Sequence, residues 1–474
     1  MAERLVLGPL VGGLSHDRVN LWARASGPGM LHAWVGRQAD LSDARLAGAA
    51  LLVASSGFAG RVAVTGLRPE TTYHYALTLT DTPPRPTAGA FPSFTTAPQP
   101  GEPRDFAFAF GSCFRPGVSN NGQTLRHLDG LRQALDLRFV LLLGDQIYAD
   151  EWNGNGLGYV ALTEEDYRAV YRHVWGHPAW RNLMQRLPVF MILDDHEVDD
   201  DWAWTSPERY EGRIPPWHPI IRWFKGFPPE ARRLSHRRIQ AAIQAYWEHQ
   251  AMHGPPLLLP PDGIAHDRPL LLPADQGSFA YTFTYGPAAF FVLDTRTQRV
   301  YKQRLLNRAQ WEALENWLLQ VKDRFPLKFI VSSISVLFEM WGDFTRDRWN
   351  GYPDERRRLL HLLAAHKAHN TFILTGDLHS AHAVEATLRA PDGELLTVWE
   401  FCSSPFEQML NKPALFAARH VHMPPLVGHR IHFRLAEPNV GVVQVRFENG
   451  TPRLTFSIYD DRTPEPRYQV HPGR

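Results

Sequence analysis

The chain has 474 residues, with 50 Lys plus Arg against 49 Asp plus Glu and a formal net charge of +1. That balance offers no basic surface for general nucleic-acid or anionic-membrane binding, while 44% hydrophobic residues suffice for a sizeable core. Two cysteines, Cys113 and Cys402, exclude a disulfide framework, and no run approaches the ~18 apolar residues of a membrane helix. The opening MAERLVLGPLVGG has neither a basic n-region with an apolar h-region nor a twin-arginine pair, so a cytoplasmic location is expected. Oligomeric state is left open.

Residues 1–98 read as a small β-domain. Val19–Ala25, Leu31–Gly36 and Gly60–Thr65 alternate apolar and polar residues between Gly, Pro, Ser and Asp. Thr65–Leu79, TGLRPETTYHYALTL, resembles the late-strand pattern of fibronectin type III sandwiches. The Pro-rich stretch that follows ends in a linker over 99–105. From Phe106 to residue 474 a second domain is expected, in which apolar strands alternate with helices. Strand candidates are 106–111, 138–144, 188–194, 289–294, 328–333, 371–376 and 397–401. Helices are expected over Gln123–Asp136, over Thr163–Arg186 with Thr163 and Asp166 as N-cap and N3, after the Asn307/Gln310 capping-box pair, and from Pro353 to about His369. This alternation predicts an α/β core whose sheet is covered on both faces. An aromatic-rich insertion at about 203–278 interrupts it, and strand signals return from about 430.

The chemistry lies at the strand ends, where α/β proteins place their sites. Phe106–Gly111 is followed by Ser112-Cys113, and 138–144 by Asp145-Gln-Ile-Tyr148. The strand before Asp194 opens into FMILDDHEVDDDW, six carboxylates and a histidine within eight residues, which repel one another unless bases, protons or a cation neutralise them. Further strands end at Asp294-Thr-Arg296 and Asp377-Leu-His379. Carboxylates and imidazoles converging from separate strands suit two cations a few ångström apart, an arrangement matched to phosphate-ester hydrolysis. Neither GxGxxG after a strand nor GxxxxGK[ST] occurs, which weakens dinucleotide and kinase readings.

GSC, GDQIYAD, DDHEVDDDW, LDTRT and TGDLHS together resemble the alkaline phosphatase D (PhoD-like) family of the calcineurin-like metallophosphatase superfamily. The resemblance covers almost the whole chain. It implies a four-layer metallophosphatase-type α/β core with mixed sheets, preceded by a small all-β sandwich domain. It also implies a metal-dependent phosphomonoesterase or phosphodiesterase, in which a metal-bound hydroxide attacks a small-molecule phosphate ester. Two or more metal ions are implied, iron plus calcium by the family's habit. Cys113, Asp145, Tyr148, Asp195, Asp377 and His379 become metal-ligand candidates, with Cys and Tyr on one ion favouring ferric iron. Asp195 and His196 take the catalytic positions, His196 as proton donor to the leaving oxygen. Asp194 and Glu197 would orient it, and Arg296 would bind phosphate through its planar fork. Arg115, Asp294 and His382 are further candidates for support or substrate contact.

Each has a plainer reading. Cys113 alone would be a small buried hydrophobe, Tyr148 a packing residue, Asp294 and Arg296 a structural pair, and His382 an exposed side chain. Cys402 reads as core. Asp200 and Asp201 stand where the family commonly has Asn; as ligands they would tighten divalent binding and weaken the attraction of an anionic substrate. The insertion and Trp341–Trp349 are candidates to line the pocket. The alternative functional reading is an inactive family member that binds a partner through its N-terminal β-domain.

Overall fold

Two β-sheets lie face to face, each built from apolar runs bounded by turns. The computed structural model describes residues 3–84, 89–207, 211–261, 277–341 and 347–473. Among these, the first sheet has nine strands, in the order Tyr468–Val470, Thr451–Asp460, Asn439–Glu448, Phe106–Gly111, Leu137–Leu143, Val189–Ile192, Leu5–Gly12, Arg18–Ala25 and Ala59–Thr65. Its central three strands, Phe106–Gly111, Leu137–Leu143 and Val189–Ile192, run parallel. The second sheet has eight strands. Ala288–Val292, Leu327–Val331, Thr371–Thr375 and Leu395–Cys402 form its parallel centre, flanked by antiparallel strands on both sides.

Phenylalanines fill the space between the sheets. Phe190 stacks on Phe283 at 3.8 Å, Phe108 on Phe139 at 4.8 Å, and Phe108 meets Phe329 edge-on at 5.5 Å. Burying several such rings contributes about 1.5–3 kcal/mol each through area alone. Helices Gln123–Ala134, Glu164–Trp175, Pro178–Met184 and His236–Tyr246 pack on the outer face of the first sheet. Arg308–Val321 and Pro353–Ala365 cover the second. The order helix, sheet, sheet, helix is the expected four-layer mixed architecture.

The helix expected over 163–186 is two helices. Thr163 accepts from the Asp166 backbone N–H and the Asp166 carboxylate reaches back, a complete capping box, but the helix stops at Gly176. Pro178 cannot donate into a continuing ladder and opens the next helix, with His177 as its cap. Asn307 caps its helix as expected, yet the Gln310 side chain does not close the box. It is taken instead by the backbone N–H and C=O of Asp294, both within 3.0 Å. Sequence reading missed the strand Ala381–Arg389 altogether.

The first 98 residues divide between two sheets. Arg45–Leu52, Gly29–Gly36, Thr72–Thr78 and Ser93–Thr95 make a four-stranded sheet of their own. Leu5–Gly12, Arg18–Ala25 and Ala59–Thr65 instead extend the nine-stranded sheet, Gly12 pairing in parallel with Val189. The expected boundary at 98–99 therefore does not coincide with a break in hydrogen bonding. In the insertion, helices form at Trp217–Phe224 and His236–Tyr246, the latter running into a π-turn over Trp247–Ala251. Residues 208–210 and 262–276 of the insertion, and 342–346 of the Trp341–Trp349 stretch, lie outside the described residues. Among the described residues no helix is long and apolar enough to cross a membrane.

Candidate active site

Strand ends from both sheets deliver their side chains to one place. Cys113, Asp145 and His379 offer ligand atoms all within 4.8 Å of one another, and so do Asp145, Asp195 and His196. A third group joins Asp145, Asp194, Asp195 and Asp377, and a fourth Asp195, Asp201 and Asp347. Asp145 thus belongs to three groups and Asp195 to three. The Cys113 thiol donates to Asp145 Oδ2 at 3.3 Å and the Tyr148 hydroxyl donates to the same oxygen at 3.1 Å. Tyr148 Oη lies 3.3 Å from His379 Nε2.

The backbone is bent sharply to bring these groups in. Cys113, Asp145, Asp201, Asp377 and His379 all have φ between 52° and 62°, the left-handed region that costs a non-glycine residue of order 1 kcal/mol or more. Clustering of such strain at one spot is the mark of a site rather than of a scaffold. Gly144 allows two of the strand ends to touch, since a Cβ there would lie 2.3 Å from Asp194 Cβ. Small hydroxyls knit the turns: Ser112 Oγ accepts from Asp377 N, and Ser404 Oγ accepts from His379 N while contacting Cys113 Sγ at 3.3 Å. Glu197 is the central anchor. Its carboxylate accepts from the backbone N–H groups of Asp145, Gln146 and Asp194 and from Gln250 Nε2, at 2.6–3.1 Å. Gln250 reaches it from the π-turn, a local widening of the helix that often occurs at functional sites.

Burial governs the protonation states. It pushes the Cys113 thiol up to about 12, helped by the Asp377 carboxylate, and raises Tyr148 and Asp145 well above their ordinary values. Asp377 is pushed up to about 6 by burial against the pull of Arg348, whose Nε lies 3.2 Å away. Burial and the neighbouring His196 lower His379 to about 3, leaving it a neutral imidazole. A cluster of buried acids raised in this way is one that a cation would stabilise in its ionised form. Asp194 Oδ2, buried and without a hydrogen-bond partner, adds a further acceptor. The donor set fits metal: thiol, phenol, carboxylate and imidazole on one side, carboxylates alone on the other.

His196 is placed differently from the ligands. Its Nδ1 donates to Asp150 at 2.8 Å, while Nε2 lies 3.8 Å from Asp200 Oδ1. Burial opposes a charge on this ring, but Asp150, Asp195 and Asp145 hold its pKa well above the ordinary imidazole value. The Asp150 contact fixes the ring with Nε2 outward. Asp150 is buried and orients His196.

The rest of the acidic run is neutralised residue by residue. Asp199 is buried and paired with Arg222 at 2.8 Å and Arg238 at 2.6 Å. Asp200 meets His218 Nε2 at 2.9 Å, and His218, despite burial, is raised to about 9 by Asp199 and Asp200. His218 is therefore cationic at neutral pH, and the extra charge of Asp200 has a partner. Asp201 is the one that joins Asp195 and Asp347, its backbone N–H also donating to Asp195 Oδ2 at 2.7 Å.

Three candidates require correction. Arg296 is fully buried and committed: Nε donates to Asp194 at 2.5 Å and the terminal nitrogens to Asp347 at 2.7 and 2.5 Å. Its fork is filled by carboxylates, so it is no free phosphate binder; it holds Asp194 and Asp347 in place. Asp294 closes a turn, accepting from the backbone N–H groups of Phe279, Arg296 and Thr297. His382 is buried, bonded to Glu400 at 3.0 Å and stacked on Phe338. Arg115 stays at the site, its guanidinium 5.9 Å from the Tyr148 ring centre, one terminal nitrogen donating to Asn153 and lying 3.6 Å from Glu151, and its buried Nε without a partner. Asp347 and Arg348 were not singled out in sequence; the Asp/Arg alternation of WGDFTRDRW was the available signal.

Two facing mixed sheets between helices, with these candidate ligands at the strand ends, define a metallophosphatase-like fold. The chain belongs to the PhoD-like phosphatase family, whose model matches residues 108–451, more than half of its length. It is similar to alkaline phosphatase D of Bacillus subtilis (strain 168), 27% identical over 327 residues, 61% of this chain. That match spans about half, 48%, of the curated relative's length. Among solved structures it resembles PhoD (TM-score 0.72, 22% identity, 95% of this chain and 85% of that one). It also resembles purple acid phosphatase PPD1 from yellow lupin, Lupinus luteus (TM-score 0.60, 12% identity, 98% and 73%). At these identities the structural likeness is one of fold.

Proposed function

We propose that the protein is a metal-dependent phosphoesterase acting on small-molecule phosphomonoesters, phosphodiesters or both. The observation that carries this reading is the sharing of Asp145 between a Cys113–His379 group and an Asp195-containing group, with His196 beside them. Cys113, Asp145, Tyr148 and His379 would hold one ion, for which thiolate and phenolate favour iron. Asp145, Asp195 and Asp377 would hold a second, and Asp195, Asp201 and Asp347 offer an oxygen-only set suited to calcium. Bound ions supply Lewis acidity and lower the pKa of water at the site.

The chain's own groups do the rest. His196, held by Asp150 with Nε2 outward, is the donor of a proton to the leaving oxygen. Arg115, rather than Arg296, is the candidate to contact the phosphate, its guanidinium held beside Tyr148 by Asn153 and Glu151. Glu197 keeps the Asp145 and Asp194 turns in register.

The purified protein should turn over a chromogenic phosphomonoester or diester and contain metal by elemental analysis. Asp145→Asn should lose more than about a hundredfold of turnover together with bound metal. Absence of metal, or a fully active Asp145→Asn enzyme, would overturn the assignment. A folded, metal-loaded protein without turnover would instead revive a binding role for the N-terminal β-region.

A further inference from the structure

The helix Trp217–Phe224 is amphipathic the wrong way round for a soluble core. His218 and Arg222, one turn apart, face inward to Asp200 and Asp199. Trp217, Ile220, Ile221, Trp223 and Phe224 face solvent, 41–76% exposed. Arg222 is the buried residue of the helix. Its charged face thus fastens it to the acidic loop of the site, and among the described residues no element covers the five large apolar side chains. Elsewhere on the site's border, Met409 (67%) and Phe416 (86%) are exposed on the segment whose Asn411 bonds to the His379 carbonyl. Trp341 (69%) joins that segment through its N–H to Ala417. Large apolar groups therefore project from both sides of the candidate site, one set next to His196's loop and one next to His379's. Exposed large apolar groups clustered as on this helix mark an interaction surface.

We propose that this face docks the protein on an anionic lipid–water interface, with the mouth of the candidate site turned toward the lipid. The residues flanking the helix decide between this occupant and another protein. Lys225, Arg233 and Arg237 are exposed and Arg213 and Arg232 half-exposed, against exposed Glu211 and Glu230. A short helix with Trp, Ile and Phe outward and a surplus of cations around it is the make-up of an interfacial helix. Trp side chains at its ends suit the headgroup region. Docking itself does not depend on the proposed hydrolysis, and its test measures binding without turnover.

The full chain should float with vesicles of phosphatidylcholine containing phosphatidylglycerol, and more weakly with phosphatidylcholine alone. Trp223→Ser combined with Phe224→Ser should weaken that partition about tenfold or more, with an unchanged thermal transition and unchanged turnover of a water-soluble ester. Lys225→Glu combined with Arg233→Glu removes little apolar area and should erase the preference for the anionic vesicles; it decides the matter if the serine variant fails to fold. Wild-type protein that ignores both vesicles, or variants that partition as wild type does, overturns the proposal. A dimer that the serine substitutions dissolve, with no vesicle binding, would assign the face to a second copy instead. Loss of ester hydrolysis in the wild type with vesicle binding intact would count against the phosphoesterase reading and leave the docking surface standing.

Discussion

At the scale of single residues, the pairing of His196 with Asp150 separates the proposed acid–base group from the candidate ligands around it. The carboxylate accepts from Nδ1 and keeps the ring charged, while Nε2 stays available. A residue that protonates a leaving group matters most when that group is a poor one. His196→Ala should therefore lower turnover of an alkyl phosphoester by about 10²–10⁴-fold and that of a nitrophenyl ester by much less. Equal losses on both substrates would give His196 a positioning role only. Asp200 shows the same scale from the other side. An acid at a position where the family resemblance led us to expect an amide becomes tolerable because His218, itself raised by two carboxylates, sits 2.9 Å away.

Elements decide where these residues go, and they do so through loops at one end of two sheets. Asp145 and Asp194 follow neighbouring parallel strands and are joined by Glu197, which satisfies backbone donors from both turns. Leaving such donors unmet would cost about 1–3 kcal/mol each, so one buried carboxylate stiffens the whole strand-end platform. The far ends of the strands show a different balance. Lys328, in the central strand Leu327–Val331 and 3% exposed, is lowered to about 8 by burial. Its ammonium donates to the Phe325 carbonyl at 3.2 Å. In the unfolded chain Lys titrates near 10.4, so between about pH 8 and 10.4 the unfolded state binds more protons. Stability from this group must then rise with pH across that window, by about 1–3 kcal/mol. Denaturant unfolding of wild type and Lys328→Met as a function of pH checks it: the difference between them should change across the window and be flat below pH 7.

At the scale of the whole molecule, the N-terminal strands are part of the sheet that carries the site. Leu5–Gly12 borders Val189–Ile192, the strand that leads into Asp194. Removing residues 1–98 would strip three strands from the nine-stranded sheet and expose an apolar edge next to the acidic loop. A chain beginning at residue 99 should accordingly be insoluble or fail to show a cooperative unfolding transition. A soluble, metal-binding fragment would show instead that the first 98 residues are a separable module.

Much of the site was legible in the chain because its chemistry follows its strands directly. Cys113, Asp145, Tyr148, Asp195, His196, Asp377 and His379 each stand within a few residues of an apolar run, and parallel strands end on one edge. The alternation of those runs with helical patterns predicted an α/β core, while the four-layer order came from the family resemblance. Partner choice was not legible, because it depends on distance in space between residues far apart in sequence. Arg296, read as a phosphate binder or as the structural partner of Asp294, is captured by Asp194 and by Asp347, 51 residues on. His218 and Asp150, not singled out in the sequence, neutralise or orient the acidic loop. Periodicity could place apolar residues on a helix face but not say whether that face would be covered, so only the tertiary structure left Trp217–Phe224 outward. Local pattern determined which groups reach the strand ends; packing decided which charges they meet there.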